Sequence, residues 1–406
     1  MLWLAGAILF FPLLGLVMQL AALRHRDPGL AGQLEKTASP VPAEGGPTLC
    51  LGGAEFMAAL RADLASAQDR ALIQTLSFEG DAAGRALAEA LIASPASEKC
   101  LIIDSYSRLV QSDMLVGSPL RLFNIGLYRE KSRMNKLVER MRDHGVDVVF
   151  GRPYGFGRSS LVARDHKKMC VVDDVTYVGG INFSDHNFLW RDLMLRAEDP
   201  AAAAALAADF FQTRVGRSVD SRGSFASWDL VIGQGTETHL ILDEMALAIA
   251  QARRDIYVEC PYITEPLLGL LGEARRRGVE VTIVTSEHIN RFGMKWSIQG
   301  ACADHDLTLR LWPDTMTHVK AMLIDGDQLL LGSANFDFLS GKLQPELMVT
   351  VRDPAVITEF DRRVRQTSLA ESYNWSAQGK KPALAGVGRW AMGAAEAILG
   401  AVHGGN

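Results

Sequence analysis

One short pattern occurs twice in this chain, and it constrains the fold more than any other feature. His166-Lys167-Lys168-Met169-Cys170-Val171-Val172-Asp173 has the form His-x-Lys-x4-Asp, and so has His318-Val319-Lys320-Ala321-Met322-Leu323-Ile324-Asp325. The first copy is followed by Gly179-Gly180-Ile181-Asn182 and the second by Gly332-Ser333-Ala334-Asn335. Further on, Asp192 and Glu346 each open an apolar run that ends in an Asp-Pro pair, Asp199-Pro200 and Asp353-Pro354. Asp as N-cap with Pro at the first helical position predicts a helix start in both places. The expected helices run over residues 201–211 and 355–364. A single His-x-Lys-x4-Asp match is weak evidence. Two copies with the same sequel are not explained by ordinary strands carrying incidental histidines.

The rest of the chain repeats as well. The stretches 67–76 and 250–259 both run from a helix end into a strand. Apolar strands are expected at Ile102-Ile103 and 146–150 in the first half, and at 279–285 and 307–311 in the second. Alternating helical and strand patterns predict an α/β protein. We place the first half at 49–222 and the second at 223–373, divided where Gly and Ser concentrate near 217–229.

The spacing within the motif carries chemistry. On an extended strand, residues i and i+2 share a face. The imidazole of His166 and the amine of Lys168 are therefore expected side by side, as are those of His318 and Lys320. Asp173 and Asp325 have the opposite parity and fall at a turn. They are expected to brace the hairpin or to bind a buried cation, not to act on substrate. Asn182 and Asn335, at the ends of the returning strands, are expected beside the His and Lys.

These paired motifs, with their Gly-Gly/Ser-x-Asn sequels and acidic strands, resemble the phospholipase D superfamily over about residues 49–366. The resemblance implies a duplicated α/β sandwich whose two halves pack face to face and complete one active site within a single chain. It also implies covalent catalysis through a phosphohistidine, without a metal or other cofactor. The chemistry is reasonable. A neutral imidazole can approach a phosphodiester that repels anionic nucleophiles. Lysines and amides can hold the equatorial phosphoryl oxygens. A second histidine can protonate the leaving alkoxide and deprotonate the incoming alcohol or water. By resemblance, His166 is the nucleophile and His318 the acid/base; the residues alone do not break that symmetry. Asp192 and Glu346 match the carboxylates that fix imidazole tautomers in this family. Which carboxylate serves which histidine is open, and an exposed strand-edge charge is the other reading of each. Ser333, Glu79 and Tyr262 are further substrate-binding candidates. His186, His288 and His305 are isolated and read as surface or loop histidines. Residues 275–277 and 129–142 read as solvated basic helix faces that could also attract anionic lipid.

Within the superfamily, Arg164-Asp165-His166, Trp190-Arg191-Asp192 and Gly332-Ser333-Ala334-Asn335-Phe336-Asp337 resemble cardiolipin synthase-like phosphatidyltransferases. There are departures: one apolar span where those proteins have two, no Arg within Phe338-Leu339-Ser340, and Pro345 in place of an Asn. The expected substrate is a phospholipid. Transfer to an alcohol and hydrolysis by water use the same residues, so both remain open. A nuclease of the same superfamily is the third reading. The net charge of −5 argues against nucleic acid, whose binders carry a basic excess.

The ends of the chain bear on the membrane. Residues 2–23 form a nearly uninterrupted apolar run, followed by Arg24, His25 and Arg26. About 20 apolar residues cross a bilayer core, and positive charge on the C-terminal flank predicts an anchor helix over 1–26 with a cytoplasmic body. A signal peptide is the main rival. Residues 27–48 read as a Gly/Pro-rich linker, and 374–406 as a tail with a possible interfacial helix. The five cysteines are widely spaced, with no C-x-x-C pair, so neither zinc nor a disulfide framework is indicated. No protein partner is inferable.

Overall fold

The computed structural model describes residues 30–37, 46–116, 125–152, 163–235, 238–291, 293–375 and Gly386. The expected anchor over 1–26 and nearly all of the tail lie outside the described residues. Among the described residues, no helix is long and apolar enough to cross a membrane.

Two sheets carry the fold. The first contains β1 (Thr48–Leu51), β2 (Arg70–Thr75), β3 (Glu98–Asp104), β6 (Asp147–Gly151), β7 (Met169–Val172), β8 (Val175–Gly179) and β9 (Leu193–Glu198). A separate two-stranded ribbon, β4 (Val110–Gln111) with β5 (Met114–Leu115), precedes β6. The second sheet contains β10 (Ser221–Ser224), β11 (Trp228–Gly233), β12 (Asp255–Glu259), β13 (Glu280–Ser286), β14 (Thr308–Trp312), β15 (Ala321–Ile324), β16 (Gln328–Gly332), β17 (Glu346–Val351) and β18 (Tyr373–Trp375).

The strand orders are β1-β9-β8-β7-β2-β3-β6 and β10-β11-β17-β16-β15-β12-β13-β14-β18. Remove β10 and β18 from the edges and the second order repeats the first. The directions repeat too. β2, β3 and β6 are mutually parallel, as are β12, β13 and β14, and the other neighbours are antiparallel. The duplication in the sequence is thus a duplication of topology.

Alternation along each strand divides the core. In β7, Met169 and Val171 face a cluster shared by both halves, while Cys170 and Val172 face the helices of the first half. In β15, Ala321 and Leu323 join the shared cluster, and Met322 and Ile324 face the helices of the second half. The shared cluster also takes Leu347 and Val349 from β17 and Leu193 and Leu195 from β9. The sheets therefore pack face to face across an apolar layer, each covered on its other face by its own helices. At about 25 cal/mol per Å² of apolar surface, such a layer is the main term holding the halves together.

Local signals position these elements. Asp199 caps the helix Pro200–Arg214 by accepting from the N–H groups of Ala201 and Ala202, and Asp353 caps Pro354–Phe360 through Ala355 and Val356. The second helix continues through a wider turn, Asp361–Arg365, before Gln366–Glu371. Two expectations need correcting. The linker contains a helix, Leu30–Lys36, held because Leu30 and Leu34 bury against the first-half core. The tail is not separate at residue 374, because β18 pairs with β14 and makes Asn374 and Trp375 part of the sheet.

Candidate active site

The His-x-Lys segments do not lie within the strands that the sequence suggests. β7 begins at Met169 and β15 at Ala321, so both segments are extended leads into those strands. Each lead crosses to the other half. The N–H of His166 donates to the carbonyl of Pro345 at 3.0 Å, and that of His318 donates to the carbonyl of Arg191 at 2.6 Å. Pro345 and Arg191 immediately precede the acidic residues. The backbone contact therefore brings each ring to a carboxylate of the opposite half. His166 Nδ1 lies 2.7 Å from Glu346 Oε1, and His318 Nδ1 lies 2.7 Å from Asp192 Oδ2. This crossed pairing decides which carboxylate serves which histidine. Both carboxylates are buried, not strand-edge charges.

Parity then sorts the remaining motif residues. Lys168 and Lys320 turn back so that each Nζ donates to the carbonyl of its own histidine, at 2.6 and 2.5 Å. The intervening residues point the other way. Lys167 is buried in an ion pair with Asp209 at 2.6 Å and bonds Thr213 at 2.7 Å, while Val319 joins the shared core. Asp173 and Asp325 sit in the hairpin turns at φ 50° and 51°. Asp173 accepts from the N–H groups of Gln68, Asp69 and Arg70, and Asp325 from those of Arg253, Arg254 and Asp255. Their oxygens tie the hairpin to the start of β2 or β12, so bracing, not cation binding, is their arrangement here.

The asparagines are not equivalent. Asn182 accepts from Thr75 Oγ1 and the N–H of Ser77 and donates to Asn187, so it also holds a loop. Oδ1 of Asn335 is buried without a hydrogen-bond partner among the described residues. Ser333 does not present its hydroxyl to a substrate: it donates to Glu346 Oε2 at 2.5 Å and accepts from the N–H of Leu347 at 2.9 Å. The matching position in the first half is Gly180. There a Cβ would come within 2.3 Å of Asp192 Oδ1, so a side chain has no room.

The rings are nearly closed off from solvent, His166 being 7% and His318 6% exposed. Burial sets their charges. Burial, with Lys168 and Lys320 nearby, holds the His166 imidazolium well below its ordinary range. Burial and Lys320 hold that of His318 at about 3. Burial lowers the Lys168 ammonium to about 7 and also lowers that of Lys320. The carboxylates differ. Burial drives the Glu346 carboxyl up to about 8. Burial also opposes the charge of Asp192, but Lys320 and the His318 hydrogen bond outweigh it and hold this carboxyl below the usual range. His318 Nδ1 also lies 2.7 Å from Lys320 Nζ. It cannot accept from Lys320 while donating to Asp192, and the ionised Asp192 favours the donating tautomer. Each histidine feels both lysines, so the two motifs meet in one electrostatic site.

A wall of side chains surrounds His318. Trp190 packs on its ring with centroids 4.9 Å apart, and Tyr262 stands edge-on at 6.2 Å. Behind Trp190, 5.0 Å away, is His186, a residue that reads as an isolated loop histidine in the sequence. Its side chain is only 14% exposed and lies between Glu79 and Asp113. Burial disfavours its charge, but Asp113 and Glu79 outweigh this and raise it to about 10. Tyr262 donates its hydroxyl to Asn290, which reaches Asp113 at 3.3 Å. Arg291 lies 3.8 Å above the Tyr262 ring and pairs with Asp337 at 2.7 Å. Glu79 is buried, accepts from the N–H of Ser112 and supports His186 from behind. Among the described residues, one carboxylate trio, Glu79, Asp81 and Glu130, has its oxygens within 4.8 Å of one another. Asp81 is engaged by the N–H groups of Gly84 and Asp185, and Ser112 bonds both Glu79 and Glu130, so the trio braces loops. His288 is exposed, and His305 packs against Gly272. None of the wall residues Asp113, Asn290 and Arg291 stands in a motif, so only spatial proximity reveals them.

Comparison with known proteins follows the same lines. The family model "Cardiolipin synthase, PLD-like domain" matches residues 245–368, most of the second half. Cardiolipin synthase A of Erwinia tasmaniensis is 25% identical over 263 residues, which are 57% of this chain and 54% of that protein. A probable cardiolipin synthase of Bacillus subtilis is 24% identical over 274 residues, 60% of this chain and 53% of the relative. The chain thus spans about half the length of these curated relatives. Among solved structures, phosphatidylserine synthase of Haemophilus influenzae superposes with a TM-score of 0.67 over 92% of this chain and 99% of its own, at 12% identity. Polyphosphate kinase of Porphyromonas gingivalis gives 0.54 over 92% of this chain and 59% of its own, also at 12% identity. These two likenesses are of fold. Both halves of the site thus carry the paired motif, and by the match over residues 245–368 and by its sequence relatives the chain resembles the phospholipase D-like domain of cardiolipin synthases.

Proposed function

We propose that this protein transfers a phosphatidyl group from one phospholipid to an alcohol, in the manner of a cardiolipin synthase, through a phosphohistidine. The observation that carries the reading is the crossed clasp. Each histidine is held by a carboxylate of the other half, so one composite site needs both motifs. In this reading the neutral His166 attacks phosphorus through Nε2, with Nδ1 held by Glu346. Lys168, Lys320 and the amide of Asn335 hold the phosphoryl oxygens. His318 gives a proton to the departing headgroup oxygen and takes one from the incoming alcohol. At about 3, His318 is neutral at rest. It takes up a proton from solvent as the substrate binds, because the negative charge of the phosphodiester offsets the repulsion from the lysines.

Burial of both rings places the reaction in a nearly closed site. The names of the sequence relatives support the same class. We include membrane anchoring by residues 2–23 in the proposal, because it would hold the site at a lipid surface.

The test is product analysis by mass spectrometry after incubation with phosphatidylglycerol vesicles. A lipid carrying two phosphatidyl groups, with free glycerol, supports the reading. Phosphatidic acid alone makes the protein a hydrolase. Inert lipid with cleaved single-stranded DNA would make it a nuclease. A phosphoryl adduct trapped on His318 instead of His166 would reverse the two histidine roles.

A further inference from the structure

The transferred phosphoryl group already has two lysines beside it, yet a third cation stands at the edge of the site. Arg291 follows β13 in the second half. Its guanidinium lies 3.8 Å over the ring of Tyr262, which itself stands edge-on to His318 at 6.2 Å. Stacking fixes the plane of the fork, and Asp337 anchors Nη1 at 2.7 Å. Asp337 is only 3% exposed at its side chain, whereas Arg291 is 36% exposed and so presents an edge outward. His186, the other cation of this wall, is enclosed between Asp113 and Glu79. Arg291 is therefore the cation of the wall that can take a new anion.

Its place fits one stage of the reaction. The leaving and the incoming alcohol both exchange a proton with His318, so both occupy that side of the phosphorus. When the acceptor arrives, its hydroxyl oxygen bonds to phosphorus and its proton passes to His318. The P–N bond to His166 breaks, and its electron pair returns to the imidazole. The wall formed by Tyr262 and Arg291 is in reach of an acceptor on that side, since Tyr262 adjoins His318 and the Arg291 charge is felt at His166 across the site. A guanidinium there matches a phosphate in a two-point hydrogen bond. It repels an ammonium headgroup, and it already covers the Tyr262 face on which a quaternary ammonium would stack.

Resting on the transfer reading, we propose that Arg291 selects the acceptor by binding its anionic phosphodiester. Water, a simple alcohol and a lipid with a cationic headgroup would lack that contact.

The test is the partition of one phosphoenzyme between two acceptors. With phosphatidylglycerol vesicles, the ratio of the double phosphatidyl product to phosphatidic acid is measured for the wild type, Arg291→Ala and Arg291→Lys. Because both products leave a common intermediate, a slower first step does not alter the ratio. Loss of a charge-assisted hydrogen bond, about 1.5–3 kcal/mol, corresponds to about a 10–150-fold fall in the ratio for Arg291→Ala. The lysine variant should lie between. A ratio within about twofold of wild type overturns the role of Arg291 alone. Absence of transfer by the wild type overturns the transfer reading itself. A wild-type arm needs no variant: deuterated glycerol and the soluble diester glycerophosphoglycerol are offered together at equal concentration. Preference for the diester by about tenfold supports the proposal, and equal use of the two refutes it.

Discussion

Glutamine at position 346 would keep the volume of Glu346 and remove its charge from the clasp on His166. The two side chains are 2.7 Å apart, and the carboxyl is 0% exposed. They titrate as a unit. Burial drives the carboxyl up to about 8, and burial with the lysines pushes the imidazolium down. Below about 8 the pair holds one extra proton. Above it, a carboxylate accepts from a neutral imidazole whose Nε2 lone pair can attack. The rising limb of kcat/KM against pH should therefore be centred near 8. Lys168, at about 7, loses its charge as pH rises and adds a falling limb, so the wild-type profile is a narrow bell. A charge-assisted hydrogen bond is worth about 1.5–3 kcal/mol, or about 10–150-fold in rate. Glu346→Gln should lose that factor at the optimum and should keep only the falling limb. Stability follows with a definite sign. The folded-state value lies above the ordinary 4.5, so the contribution of Glu346 is full below 4.5 and is lost as pH rises through about 8. The variant should show a shallower fall in Tm between about pH 5 and 8. The assay is turnover of headgroup-labelled phosphatidylglycerol from pH 6 to 9, with circular dichroism as the control for folding. Activity within about threefold of wild type, or survival of the rising limb, would refute the reasoning.

Asp192→Asn should lose about 10–150-fold by the same arithmetic. In a double-mutant cycle on unfolding free energy it should couple with His318→Asn and be additive with His166→Asn; coupling to His166 instead would contradict the crossed pairing. Gly180→Ala places a Cβ 2.3 Å from Asp192 Oδ1 and should lower turnover by at least about 10²-fold in a folded protein, read by activity beside circular dichroism. Asp173→Ala removes three backbone hydrogen bonds and leaves alanine at φ 50°, so denaturant titration should show about 2–4 kcal/mol less stability. Turnover per folded molecule should stay within about twofold, since Asp173 is at the far end of the hairpin from His166.

Much of the architecture was legible because its causes are local. The N-caps at Asp199 and Asp353 act within three residues, and strand alternation at β7 and β15 needs only its own segment. The position of the His-x-Lys segments was misread because isolated alternation does not show where pairing stops. Met169 and Ala321 begin their strands only because β2 and β12 end their partnership there. Ser333 and His186 were misread for a related reason. Each takes its role from a neighbour distant in the chain: Ser333 from Glu346, and His186 from Glu79 and Asp113.

The amino-acid order by itself determined the repeat, the residue types at the paired motif positions, and the class of chemistry that imidazole, ammonium and amide groups can perform. Packing of the two sheets decided the rest. His166 meets Glu346 across 180 residues of chain, and His318 meets Asp192 across 126. No local preference reaches that far. Only burial of the shared apolar layer brings the halves into register, and the same burial sets the charges on which the proposed reaction depends.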